Sequence, residues 1–420
     1  MMKFLFYSKT GDSLPLALKC FIEGNDVILY LKENKQGYEG LLPKTDNWRK
    51  YISQDRVVVF DMVRNGVLAD YLRRLKYPVF GAGKLCDNLE LDRVYGTKVM
   101  QAVGIKTPET WQFNSFEKAK DFVKGKKELF VFKPSDNKAP AYTYSATSSE
   151  DMIGMLDYFK GIWKGRVNFE LQRYINGIEI SIEGWWTGEN FAGLNSTFED
   201  KKFLTGDLGC NVGSSSSVVF AYRDKSPRLY QLTLKKMELF LKKMDYPPCP
   251  LDINCIISEK DHTAYGLEFS ARMGYNAIFA LSELLKEDIG KVLSDFTMGQ
   301  GDLNLNSEAF SGALRVSIPP YPASEEKEVM KIKGIPIGID LENKHIHPLD
   351  VLFDKEDNLV CAGSDGIICE VSGKAKTIDG LAKDIYNIAD TLEIPNKQYR
   401  TDLGIRARKD LVTLKEWRYL

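Results

Sequence analysis

The stretch AYGLEFSARMGYN, Ala264 to Asn276, sets a carboxylate, a hydroxyl and a guanidinium two residues apart: Glu268, Ser270 and Arg272. Tyr265, Leu267 and Phe269 alternate with Gly266, Glu268 and Ser270, so the spacing predicts a strand with two different faces. A carboxylate among Leu, Phe and Gly needs a counter-charge or a metal ion. Two more residues stand out. Lys133 closes the apolar run LFVFK, and Glu179 follows the turn in LQRYINGIE. Taken singly, a lysine at a strand end reads as a solvated terminus, and Glu179 as a surface strand residue.

The elements that must position these residues follow from the apolar pattern. Phe4 to Tyr7, Val27 to Leu31, DRVVVFDM and YPVFGAG read as short strands, with Ser13 capping a first helix and a second helix from about Gly66 to Lys76. Strands alternating with helices predict a doubly wound parallel sheet over residues 1–92. Leu89 to Val103 reads as a helix. The segment from ELFVFKPSDN to NFELQRYINGIEISIEGWWTG is α+β and antiparallel in pattern, and one long helix is expected from Pro227 to Met244. The strands ALRVSIPP and GIICEVSG and a helix from Ile378 to Thr391 close the chain. The fold class is thus α/β and α+β in three parts: residues 1–92, a core at 93–312 with a lid at about 115–184, and a mixed β domain at 313–420.

The totals narrow the function. A chain of 420 residues is long for one core. Fifty-seven Lys and Arg against 58 Asp and Glu carry no polyanion-binding signature, which argues against nucleic acid as the main partner. No apolar run reaches the roughly 20 residues of a membrane helix, and KFLFY is too short for a signal-peptide core. The seven cysteines hold no C-x-x-C pair, so Cys249 and Cys255 read as free thiols of a cytoplasmic protein. His345 and His347 share a strand face but read as surface residues. Trp185 and Trp186 read as core and rim, and Arg315 as a plain strand residue.

Together, Lys133, the hinge QRYINGIE (Gln172 to Glu179) and EFSAR (Glu268 to Arg272) resemble the ATP-grasp superfamily. Its members carry a strand-ending lysine, a hinge E-x-x-φ-x-G-x-E and a later E-x-N-x-R strand. Within it the chain looks most like the phosphoribosylamine–glycine ligases, through GDLGCNVGSSSS, PPYP and RTDLGIRA in the same order. The resemblance implies that Lys133, helped by Arg93, holds the α- and β-phosphates of ATP. Gln172 would meet the adenine amino group. The backbone of Arg173 and Ile175, beside Tyr174, would read the adenine edge, and Glu179 would accept from the ribose. It further implies Asn211 and Gly213 at the nucleotide, and Mg2+ (or Mn2+) on Glu268, Ser270 and Asn254. Arg272 would steady the phosphoryl group in flight. The implied activity is C–N bond formation between a small-molecule carboxylate and an amine through an acyl phosphate, by a monomer or dimer.

Where the sequence departs from the family, the acceptor side changes most. The family's first loop, GNGGREHA, is SKTGDSLP here, with Gly11, Asp12, Ser13 and Leu14 in place of Gly-Arg-Glu-His. GPEAP becomes FDMVRNG, and FGDPE becomes MGYNA. These changes predict an altered amine or amino-acid substrate, with Lys9 the only nearby counter-charge for a phosphate. On the nucleotide side, the loop PSDNKAPAYTYSA lacks glycine, while GSSSS at Gly213 to Ser217 reads as a loop, a candidate phosphate nest. Two other readings remain: a nucleotide-binding relative without catalysis, and a ligase acting on a nucleobase amine.

Overall fold

The computed structural model describes residues 1–33, 36–134, 143–163, 165, 167–299, 301–323 and 325–420. The chain opens with β1 (Lys3–Ser8), α1 (Leu14–Ile22), β2 (Asp26–Leu31), β3 (Arg56–Phe60), α2 (Gly66–Arg74), β4 (Val79–Phe80) and α3 (Lys84–Leu91). Its four strands form a parallel sheet in the order β2-β1-β3-β4. The central strands KFLFYS and RVVVF are buried almost throughout, because helices cover both faces. β2, at the edge, alternates buried and half-buried residues.

Next come α4 (Arg93–Ala102), β5 (Thr110–Phe113), α5 (Phe116–Val123), β6 (Phe130–Pro134), β7 (Tyr144–Ser145), α6 (Ser149–Ile162) and β8 (Phe169–Arg173). The strands make an antiparallel sheet in the order β5-β8-β6-β7. Phe116, Phe132, Phe159, Phe169 and Leu171 give it a core separate from the main one, with Phe132 and Phe159 stacked at 4.4 Å. Most of the glycine-free loop after Lys133, residues 135–142, lies outside the described residues.

The remainder comprises β9 (Gly177–Trp186), β10 (Phe191–Leu204), β11 (Leu208–Ala221), α7 (Arg228–Leu232), α8 (Leu234–Lys243), β12 (Cys249–Ser258), β13 (Ala264–Ser270), α9 (Ala277–Leu284) and α10 (Ile289–Thr297). It continues through β14 (Phe310–Ser317), α11 (Glu326–Val329), β15 (Ile346–Pro348), β16 (Val351–Phe353), β17 (Leu359–Cys361), β18 (Ile367–Ala375), α12 (Ile378–Thr391) and α13 (Ile405–Glu416). An eight-stranded sheet runs β13-β12-β9-β10-β11-β14-β18-β15, and β16 pairs with β17. The expected division at residue 312 falls inside β14, so this sheet passes unbroken into the C-terminal part.

Several local expectations are corrected. The helix expected from Leu89 to Val103 is two helices, parted at Asp92. That residue is extended (φ −110°, ψ 91°), and its carboxylate caps α4 by accepting the Tyr95 N–H at 2.9 Å. The helix expected from Pro227 to Met244 breaks at Thr233, whose hydroxyl donates back to the Leu229 carbonyl at 2.5 Å. GSSSS is no loop: it lies inside β11, where Ser214 to Ser217 are buried. Ser214 bonds Asn276 at 3.1 Å, Ser215 the Lys202 carbonyl at 2.8 Å and Ser216 Asp200 at 2.6 Å. Ser13 precedes α1 but does not cap it, because its donors go to Asp61. Trp185 and Trp186 are both core, with their indole N–H groups on Glu183 and the Tyr246 carbonyl. His347 is buried rather than surface, 2.7 Å from the Ser372 hydroxyl, and His345 is 2.7 Å from Glu283.

Arg315 is the largest departure from a plain strand residue. It forms a buried ion pair with Glu370 at 2.8 Å and also donates to the Val212 carbonyl and the Tyr321 hydroxyl, each at 3.1 Å. The second Glu370 oxygen accepts from the Asn276 amide at 2.9 Å. One pair therefore ties β11, β14 and β18 to the segment after β13. Removing one partner strands a buried charge, a loss on the order of 3–5 kcal/mol. Glu370→Ala should therefore lower unfolding stability in denaturant by about that much, and replacing both residues with apolar ones should recover most of it. A Glu370→Ala protein as stable as the wild type would remove this pair from the account.

Candidate active site

The polar face of the large sheet is written in period two. Ile178, Ile180 and Ile182 of β9 enter the core, while Glu179, Ser181 and Glu183 face the other way. Register carries the pattern sideways: Asp252 of β12 lies between Glu183 and Ser270, and Asn254 lies between Ser181 and Glu268. On β10, Asn195 and Thr197 sit opposite Glu183 and Ser181, and Glu199 and Lys201 continue the same face. Ser270, Glu268, Asn254 and Glu179 thus share one floor.

Three cations converge on that floor. Arg93 is the first residue of α4, placed there by the Asp92 break, and its guanidinium donates to Glu268 at 2.8 Å. Lys201 donates to Glu179 at 3.1 Å. Lys133 lies buried near the end of β6, opposite Glu170. Burial, with Arg93 beside it, lowers the Lys133 pKa to about 8. Burial alone would raise Glu268, but Arg93, Lys133 and Lys201 hold it down to about 2. Lys201 holds Glu179 below the usual carboxylate range against burial. Lys201 is itself pushed up by Glu179, Glu199 and Glu268, which overcome its burial. A set of cations around an ionised carboxylate is what a metal–polyphosphate complex needs.

Arg272 stands apart from Glu268. It pairs with Glu90 at 3.3 Å and donates to the Met273 carbonyl at 3.1 Å, within electrostatic reach of Glu199, Asp12 and Tyr275. It therefore lies between this floor and the loop that carries Asp12. The hinge residues Gln172, Arg173, Tyr174 and Ile175 lie where β8 leaves its sheet. Gln172 is buried and donates to Thr110 at 3.3 Å. The Arg173 N–H is taken by the Glu109 carbonyl at 2.8 Å, leaving its carbonyl as the group able to meet a base. Tyr174 is exposed. Asn211 and Gly213 are exposed on the β10–β11 ribbon, where Asn211 pairs with Lys202, and none of the described contacts joins them to the charged cluster.

For a metal, the fit is a shared one. Among the described residues no group of three or more His, Cys, Asp or Glu side chains could hold an ion alone. Glu268 supplies one ionised carboxylate and Ser270 a hydroxyl. The Asn254 amide gives its N–H to Asp252 at 3.1 Å and keeps its oxygen for a ligand. One carboxylate plus neutral oxygens suits Mg2+ when phosphate oxygens complete the shell. Sequence reasoning missed Lys201, Glu183, Glu199 and Asp252. Burial raises the last three carboxyls, Glu183 to about 7. The alternation in EISIE, NSTFEDK and LDIN carried the signal.

No family model matches the chain. A phosphoribosylamine–glycine ligase of Methanosarcina acetivorans is 24% identical over 368 residues, covering 84% of this chain and 80% of that protein. A bifunctional purine biosynthetic protein of Pichia angusta is 21% identical over 354 residues. That match covers 82% of this chain and only 44% of the longer protein. Among solved structures, the phosphoribosylamine–glycine ligase of Thermotoga maritima superposes with a TM-score of 0.75 at 20% identity, over 95% of this chain and 99% of that one. The biotin carboxylase domain of the Hydrogenobacter thermophilus 2-oxoglutarate carboxylase, solved with MgADP and bicarbonate, gives 0.68 at 13% identity, over 99% and 98%. The chain is an ATP-grasp protein by fold. Within that class it is similar to phosphoribosylamine–glycine ligase, so the resemblance read from its motifs is borne out.

The low Lys133 pKa makes a direct prediction. Its charge is half lost at about pH 8, whereas an unperturbed lysine keeps most of its charge to about pH 10. ATP affinity measured by calorimetry should therefore fall between pH 8 and about 10, and Lys133→Arg should flatten that fall. A Lys133→Ala protein that is folded and binds ATP as tightly as the wild type would contradict the assignment.

Proposed function

We propose that this chain is an ATP-dependent carboxylate–amine ligase that makes an amide through an acyl phosphate, with an acceptor other than phosphoribosylamine. The observation that carries the reading is the cluster of Arg93, Lys133 and Lys201 around Glu268 and Glu179. Lys133 and Arg93 would hold the phosphates, Glu179 the ribose, and Gln172 with the Arg173 carbonyl and Ile175 amide the adenine. Glu268, Ser270 and Asn254 would hold Mg2+, or Mn2+ in its stead, which would supply positive charge to neutralise the phosphates.

The chemistry needs these parts together because a carboxylate is a poor electrophile. Transfer of the γ-phosphoryl group to its oxygen releases ADP and leaves an acyl phosphate. The amine nitrogen then attacks the acyl carbon, the C–O bond to phosphate breaks, and the nitrogen gives up a proton. Arg272 can serve this step from its place between the phosphate floor and the acceptor side. Catalysis is mostly positioning and charge neutralisation. The separate core of the β5–β8 sheet supports its role as a cover that excludes water from the labile intermediate.

Among the described residues no helix is long and apolar enough to cross a membrane. A cytoplasmic enzyme acting on small molecules completes the reading. Hydroxylamine tests it, since it intercepts acyl phosphates. With ATP and Mg2+, a panel of carboxylates should give hydroxamate and ADP in equal amounts for the cognate acid, and Arg272→Ala should abolish both. ATP binding with no ADP formed from any carboxylate would favour a relative that has lost catalysis.

A further inference from the structure

The N-terminal sheet has its topological switch point between β1 and β3: the chain runs from β1 outward to β2 on one side and returns as β3 on the other. Open α/β sheets bind ligands in the crevice at the carboxyl ends of the strands at such a point. Here Ser8 ends β1, Gly11, Asp12 and Ser13 lead into α1, and Asp61 follows β3 directly. A helix N-terminus in this position is ordinarily a cradle for an anion.

In this chain the cradle is filled from within. One Asp61 oxygen accepts the Ser13 N–H at 3.3 Å, the Ser13 hydroxyl at 3.0 Å and the Ser8 hydroxyl. The Gly11 N–H goes to the Ser8 hydroxyl at 2.9 Å, and Pro15 brings no N–H to the first turn of α1. The Ser8 and Ser13 donors that could grip a phosphate are therefore spent on a carboxylate of the protein. Lys9 does not compensate, because it pairs with Glu33 at 3.5 Å.

What remains open in the crevice is acceptor capacity. Asp61 is fully buried, and its second oxygen has no hydrogen-bond partner. Facing it from the segment after β13, the Tyr275 hydroxyl is also buried without a partner, and Asp61 and then Asp12 are the charges that act on it most. Asp12 is half-exposed and acts on Asp61, Tyr275, Arg272 and Asp365 alike. Arg272, the cation within reach, is committed to Glu90 and the Met273 carbonyl.

We infer that this crevice is the amine end of the acceptor site and binds a phosphate-free substrate as an ammonium cation, with Asp12 as the contact and Asp61 and Tyr275 behind it. The inference rests on the ligase reading for its place in a reaction, but not for its geometry. An ammonium would give its N–H donors to the Asp12 carboxylate, with the unpartnered Asp61 oxygen and the Tyr275 phenol oxygen behind it as further acceptors. Burial, followed by Asp12, raises Asp61 to about 7, so an arriving cation would also keep that carboxylate ionised. A phosphate would instead meet two carboxylates in a drying cleft, where repulsion grows as the dielectric falls.

The test uses the full chain with MgADP present and calorimetric titration of 1,4-diaminobutane and of 2-aminoethyl phosphate. The diamine should bind the wild type at least tenfold more tightly than the phosphorylated amine. Asp12→Asn should weaken diamine binding at least tenfold and leave ATP affinity unchanged, and Asp12→Glu, which restores the charge, should recover most of it. Equal binding of the two probes, no diamine binding, or an unchanged Asp12→Asn protein would each overturn the inference. Turnover separates the two readings. ADP formation with a phosphorylated amine and not with cationic ones leaves the ligase and removes the ammonium site. Asp12-dependent diamine binding without ADP formation from any carboxylate keeps the site and removes the ligase.

Discussion

The structure depends on the contact between Arg93 and Glu268. It joins the first residue of α4 to the edge strand of the large sheet and sets the charge beside which Lys133 is buried. Around it, among the described residues, Arg93, Lys133 and Lys201 face Glu179, Glu199 and Glu268, three basic side chains against three carboxyls. ATP and a divalent cation would enter by exchange. Phosphate oxygens would replace Glu268 as the partner of Arg93, and Glu268 would be left to hold the metal. Neither half of that exchange is balanced alone: phosphate without metal leaves the carboxylate facing a polyanion, and metal without phosphate leaves the guanidinium facing a cation. On this reading the nucleotide and its metal would bind as one ligand.

Much of this was legible in the sequence because strands repeat every two residues. Glu268, Ser270 and Arg272 announced a polar face by spacing alone, and Lys133 and Glu179 joined them through a family resemblance that the comparisons bear out. The parallel order of the N-terminal sheet followed from uninterrupted apolar runs such as RVVVF. What stayed hidden was pairing between distant segments. Lys201 gives no local sign that it will meet Glu179 twenty-two residues earlier. Arg315 looks ordinary until β18 brings Glu370 beside it. Asp92 and Thr233 broke expected helices through side chains that compete for backbone groups, an effect apolar periodicity does not register. GSSSS misled for the opposite reason: its composition is that of a loop, yet the buried hydroxyls of Ser214, Ser215 and Ser216 found partners in a neighbouring strand or segment.

The charged floor and the loop after β1 are held by separate networks. Arg93 pairs with Glu268 and Lys201 with Glu179, with Lys133 in the field of both, so changing one strands the charge of another. The loop from Ser8 to Ser13 is tied instead to Asp61, and Asn276 to Glu370 and Ser214. Those networks fix the loop after β1 and the segment after β13 with no bond to the charged floor among the described residues. Arg272 is the residue whose field reaches both.

The most direct measurement is the affinity of ATP with and without Mg2+ in the wild type and in Glu268→Gln, which keeps the shape of the side chain and removes its anion. If Glu268 is the metal's carboxylate, Mg2+ should tighten ATP binding at least about tenfold in the wild type, a coupling of about 1.4 kcal/mol, and that gain should vanish in the variant while ATP alone binds no worse. An equal Mg2+-dependent gain in both proteins would contradict the account.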